Sequence, residues 1–154
     1  MLDRLVSFGA RACLIAAGAA LCLAVHAKDA RTITLEIGAH KVRAEVADQQ
    51  ESRAQGLMHR ESMGKNDGMV FVFDEPGYHS MWMMNTLIPL AVAFIDANGK
   101  ILNIREMQPK SEALHTAAGP AHYALEMNAH WFSERGIKPG DAVKGLPPLP
   151  KAGK

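Results

Sequence analysis

Residues 68–104 read GMVFVFDEPGYHSMWMMNTLIPLAVAFIDANGKILNI. Two unbroken apolar runs, 69–73 (MVFVF) and 91–95 (AVAFI), have the length of strands buried on both faces. Asp74-Glu75-Pro76-Gly77 and Asp96-Ala97-Asn98-Gly99 are turn signals that punctuate them. Between them, 78–84 reads as a third strand, broken by Asn85-Thr86, and Pro89 holds the chain extended. A further strand over 100–107 follows the second turn. The stretch also holds one of the two tryptophans, four of the nine methionines and a histidine. A functional site is therefore expected here or on loops that fold over it.

Upstream, 31–37 (RTITLEI) and 41–47 (KVRAEVA) alternate apolar and polar residues around the turn Gly38-Ala39 and read as a hairpin. Asp48 and Glu51 have the spacing of a capping box, which predicts a short helix over 49–55 with Gly56 as its stop. Residues 62–68 are loop. Downstream, 108–120 is the longest expected loop, and loops of that length are often functional. A strand over 121–127 follows, then a short helix from Asn128 to Arg135 with Gly136 ending it. Residues 137–141 turn into a last strand at 142–144, and the Pro- and Gly-rich segment 145–154 reads as a flexible tail. The pattern predicts a mainly β fold: an antiparallel β-sandwich or barrel-like domain with two short helices, spanning 28–144.

The first 27 residues have the form of a secretory signal peptide. Arg4 and Arg11 precede 14 uncharged apolar residues at 12–25, and Val25-His26-Ala27 sets up cleavage after Ala27. The run is shorter than the roughly 20 residues that span a bilayer, so an uncleaved anchor is the weaker alternative. The expected location is the periplasm, with no membrane span in the mature chain. Both cysteines, Cys13 and Cys22, lie in this segment, leaving the exported domain without a disulfide, thiol nucleophile or thiolate metal site. Removing the segment takes Arg4 and Arg11 from seventeen basic residues and Asp3 from sixteen acidic ones. The balanced charge that remains argues against nucleic acid, which demands a basic stripe.

Several motifs, taken in order, resemble domain-of-unknown-function family 192. They are Gly56-Leu57-Met58-x-Arg60, Gly68-Met69-x-Phe71-x-Phe73, and His79-Ser80-x-Trp82-Met83-x-Asn85-Thr86-x-Ile88-Pro89-Leu90. Leu125-Glu126-x-Asn128-Ala129 and Gly136-Ile137-x-Pro139-Gly140-Asp141 continue the match. The resemblance runs from about Thr34 to Val143. It implies a β-rich fold, often behind a signal or membrane segment, and no established activity. Three positions depart from the pattern: Met84 stands where lysine is expected, Ala91 where aspartate is expected, and Met81 where an aromatic is expected. An acid–base couple at 84 and 91 is thereby removed; a structural ion pair replaced by apolar packing has the same appearance.

Three chemistries compete for these residues. In the first, Arg60, His79, Trp82, Asn85, Thr86 and Glu126 line a pocket for a small ligand. Arg60 would grip a carboxylate or phosphate in a fork, and Asn85 and Thr86 would supply neutral hydrogen bonds. The structural alternative makes Asn85 and Thr86 turn residues bonded to local backbone. In the second, His79, Met81 and Met83 share one strand face and ligate Cu(I), which favours soft sulfur; otherwise the methionines simply fill an irregular core. In the third, Glu126 and Asp141 form the carboxylate pair of an envelope hydrolase; otherwise Glu126 bonds backbone or Arg60. No GxSxG elbow surrounds Ser80. The reading that best fits the whole chain is an exported ligand-binding or accessory module, its partner a small ligand or an envelope protein. It needs no resident cofactor, Cu(I) being the one alternative.

Overall fold

The computed structural model describes residues 31–150. The signal segment 1–27 and residues 151–154 of the tail lie outside the described residues. In chain order the elements are β1 (Thr32–Ile37), β2 (His40–Ala47), α1 (Gln50–Gln55), β3 (Asp67–Gly77), β4 (Ser80–Met81) and β5 (Leu90–Ile95). Then come β6 (Ile101–Met107), β7 (His115–Thr116), β8 (Ala121–Asn128), a 3-10 turn at Ser133–Arg135 and β9 (Val143–Lys144).

Seven strands form one sheet in the order β6-β5-β8-β3-β2-β1-β9, and β4 pairs with β7 separately. The chain is mainly β, as its alternation predicts, but the sheet is mixed. β2 and β3 run parallel, Glu45 beside Met69 and Ala47 beside Phe71. The reason is the connection. α1 and a long loop separate the two strands, and a crossover of that size returns the chain in the same direction where a tight turn would reverse it. Nor is the domain a sandwich of two equal sheets. The main sheet curls until its edges meet at one end, where Lys100 bridges Ala142. Gly140 N–H donates to Ile101 O at 2.8 Å, and Val143 N–H to Gly99 O at 2.8 Å. The result is a half-barrel.

Both faces of the central strands are buried, which explains their unbroken apolar runs. Val70, Val72, Ala91, Ala93 and Leu125 face a core enclosed by the curl, with Trp131 and Phe132. Met69, Phe71, Leu90, Val92, Phe94 and Ala124 face a second core, covered by Leu57, Met83 and Ile88. Ala91 is wholly buried in the enclosed core, where a lone carboxylate would meet no water.

The two helices are shorter than expected. The first begins at Gln50, one residue late, and Ser52 rather than Glu51 answers its cap: Gln49 N–H donates to Ser52 Oγ at 3.1 Å. The second contracts to a 3-10 turn. Trp131 and Phe132 are both buried and pack edge to face, so consecutive residues point inward, where a surface helix would expose one of them. The predicted turn at Asp74–Gly77 is absorbed into β3, whose pairing with β8 shifts between Val72 and Gly77. The strand expected over 78–84 survives only as β4.

The C-terminal segment is not free over its described part. Tyr123 Oη donates to Pro147 O at 2.8 Å inside the protein, and Leu146 and Leu149 pack on the enclosed core. Tyr123→Phe should cost about 1 kcal/mol, the usual worth of one such bond. Trypsin should then cut after Lys144 faster than in the parent. An unchanged cleavage rate would show that apolar packing alone seats the segment.

Gly68 pairs with Met127 and leaves no room for a side chain between β3 and β8. A Cβ there would meet Met127 Sδ and stand 2.5 Å from Glu126 O. Gly68→Ala is expected to cost about 3 kcal/mol, the upper end for overpacking, because a backbone carbonyl cannot swing aside. A urea midpoint equal to the parent's would contradict this.

Candidate functional site

Across the second face of the sheet runs a row of side chains in register. Glu45, Met69, Glu126, Val92 and Arg105 stand on β2, β3, β8, β5 and β6 in turn. Glu126 is the centre of that row and 3% exposed. Among the described residues, no group hydrogen-bonds or ion-pairs with its carboxyl. Its two register neighbours are apolar, and burial pushes its pKa up to about 8. At neutral pH it is therefore mostly protonated, a buried acid with an unused donor and acceptor.

The carboxyl faces a cavity of about 310 Å³. One wall is the end of α1 with Gly56, Leu57 and Met58, and the other is Ser80, Met81, Trp82 and Thr86. Phe71 and Phe73 complete the lining together with Glu126. Gly56 has φ +49, which turns the chain off α1 and over Phe71; a Cβ there would lie 3.3 Å from Phe71 Cζ. Trp82 is 45% exposed at the mouth. Thr86 is buried, with its N–H donating to Met83 O at 3.0 Å and its hydroxyl to Met84 O at 3.4 Å. The second wall is braced from behind by the 108–118 loop. Met83 N–H donates to Ser111 O, Lys110 N–H to Thr86 O and Ala117 N–H to His79 O.

Three of the six expected pocket residues, Trp82, Thr86 and Glu126, line this one cavity. The other three do not. Arg60 makes its fork on the protein's own Glu45, at 2.5 and 2.7 Å, which uses up the guanidinium face a ligand would need. The hydrogen bonds to Glu45 hold the Arg60 pKa above its ordinary value. Arg60 instead borders a separate polar groove with Arg43 and Asp67, themselves joined at 2.6 and 2.9 Å. His79 stacks on Phe73, centroids 3.7 Å apart, and its Nε2 bonds Glu75 O at 2.9 Å. Asn85 is exposed at φ +56, its carbonyl accepting from His59 N–H. That is the turn-forming role, and asparagine tolerates the left-handed region.

His79, Met81 and Met83 all lie beside the second core, but not through strand alternation. Strand pairing stops at Met81, so alternation does not extend to Met83, which is fully buried in the second core while Met81 lines the cavity. The carboxylate pair is not assembled either. Asp141 sits at the barrel closure and accepts from Lys138 N–H at 2.9 Å, and it does not line the cavity.

The structure adds Arg53 to the site. From α1 it donates to Asp48 O at 2.9 Å, to Val72 O at 3.0 Å and to Asp74 Oδ2 at 2.6 Å. It thus satisfies a carbonyl freed where β3 leaves its register, and locks the helix that forms one wall. A lone arginine on a short helix carries no sequence signal of this, because its β3 partners lie about twenty residues away.

Most of the lining belongs to the motifs Gly56-Leu57-Met58, Phe71-x-Phe73, Trp82, Thr86 and Leu125-Glu126. The family model described as an uncharacterized ACR, domain-of-unknown-function family 192, matches residues 32–145, the whole of the sheet. The chain belongs to domain-of-unknown-function family 192. Two solved structures are similar to this family 192 chain. A protein of unknown function from Novosphingobium aromaticivorans is 33% identical, with a TM-score of 0.73 over 77% of this chain and 89% of its own. A Sinorhizobium meliloti protein, provisionally described as a transcription regulator, is 36% identical, with a TM-score of 0.68 over 72% of this chain and 89% of its own. No curated protein matches.

Proposed function

We propose that this chain is an exported binding module of the cell envelope that holds one small ligand between α1 and the 80–86 segment. The observation that carries this reading is Glu126: a buried, unpartnered carboxyl at a cavity wall. A carboxyl that faces only the cavity, with no partner among the described residues, costs stability, and a ligand that completes it would recover that cost. The cavity combines apolar walls from Leu57, Phe71, Phe73, Met81 and Trp82 with polar groups from Gln50, Gln55, Ser80, Thr86 and Glu126, the mixture that small-molecule sites use for burial and orientation. Export rests on the charge and apolar pattern of residues 1–27.

The test is a fragment screen by NMR on the protein recovered from the periplasm of an exporting host. Hits should shift the Trp82 indole and Thr86 amide signals. Trp82→Ala should abolish them while leaving the unfolding midpoint within error, since the ring is half exposed. A screen whose hits all map elsewhere would defeat the proposal.

A further inference from the structure

We infer that the cavity takes an organic cation, an ammonium or guanidinium group carried on an apolar body, with Glu126 as its counter-ion. This deepens the binding reading above and rests on it. Three observations carry the choice of charge. First, among the described lining residues Gln50, Gln55, Ser80 and Thr86 are neutral, Arg53 is paired with Asp74, and Glu126 is the one carboxyl, so the one unpaired charge the site can develop is negative. A cation needs only one counter-ion. Second, the cavity mouth carries Trp82, the ring type that best holds a cation over its face. Third, the positive charges nearby are either paired or set apart from the carboxyl. Arg53 is the one basic side chain among the described lining residues, and it is held by Asp74 and two carbonyls. Arg60 is forked on Glu45 at the β2 end of the register row, and Arg105 is exposed at the other end, with Val92 between it and Glu126.

Anions find no corresponding site. Both terminal nitrogens of Arg53 already have oxygens, and Glu126 once ionised repels a second negative charge. A cation gains from the same arrangement: it displaces the proton of Glu126 and leaves an ion pair shielded by aromatic walls.

The experiment compares phenethylammonium with its neutral counterpart phenethyl alcohol, titrated into the full exported protein and its Glu126→Gln variant at pH 6 and pH 8.5. The parent should prefer the ammonium by about tenfold or more at pH 8.5. Its ammonium affinity should fall by tens-fold at pH 6, where roughly 1% of Glu126 is ionised. The alcohol affinity should stay level. In Glu126→Gln the preference should vanish at both pH values while the alcohol still binds. If the parent binds the alcohol as tightly as the ammonium at pH 8.5, the inference fails and the binding reading stands. If the variant keeps the preference, Glu126 is not the counter-ion and the inference fails. If neither probe perturbs the cavity residues, both readings fall together.

Discussion

Glu126→Gln is expected to stabilise the protein at alkaline pH and to do much less at acid pH. The sign follows from linkage. Burial raises the Glu126 pKa from 4.5 to about 8 in the folded state. Between those values the folded protein keeps a proton that the unfolded chain has released, so raising the pH favours unfolding. The penalty is absent below about pH 4.5, grows through neutrality and is complete above about pH 8. Each tenfold difference in proton affinity between the two states is worth about 1.4 kcal/mol, which puts the full penalty on the order of 5 kcal/mol. Glutamine does not titrate and escapes it, at the cost of an unpartnered amide that is the same at every pH. Urea unfolding of both proteins at pH 5, 7 and 9 should therefore show a gap that widens with pH. A constant gap would mean that Glu126 is solvated or partnered in solution. Asp67 has the opposite sense. Its hydrogen bond with Arg43 lowers its pKa, so its contribution is present above the unfolded carboxylate value and lost as the pH falls through the folded one. The proposed binding role would make this carboxyl an ordinary trade of stability for function.

Local chemistry accounts for the parts of the fold that are legible in the sequence. The β1–β2 hairpin follows from alternation around Gly38, and the β5–β6 turn from Asp96, whose carboxylate accepts from the N–H groups of Asn98 and Lys100. The doubly buried β3 and β5 follow from their unbroken apolar runs. The remaining features depend on partners far along the chain. The parallel pairing of β2 and β3 becomes legible only when α1 is treated as part of a crossover. The seating of Pro147 needs the Tyr123 hydroxyl, and a Pro-rich segment looks the same in sequence whether docked or free. At the site, Trp82, Thr86 and Glu126 are within reach of sequence reasoning because their motifs cluster. Arg60 stands out over Arg53 in the sequence because it lies in a motif. Parallel register decides between them: it places Glu45 beside Met69, where it engages Arg60, and leaves Arg53 to face the bulge of β3.

Phe71→Ala should cost about 3–5 kcal/mol, the range for removing a buried aromatic ring, and the upper half of that range is expected. The reason is the row in which Phe71 stands. Ala47 is beside it on β2, Ala124 on β8, and Phe94 beyond on β5. Large and small residues alternate, so truncation leaves three consecutive alanines in the row. From above, Gly56 lies over the ring, fixed by its positive-φ backbone and by its N–H bond to Ser52 O. The void would also join the cavity beside Glu126, because Phe71 lines both the second core and the site. Phe71→Leu, which keeps most of the volume, should recover more than half of the loss. Urea unfolding of the two variants at pH 5, where Glu126 adds little penalty, isolates the packing. A loss below about 1.5 kcal/mol for the alanine variant would show that α1 collapses onto the sheet. The wall of the site would then be a movable element rather than one fixed by the packing beneath it.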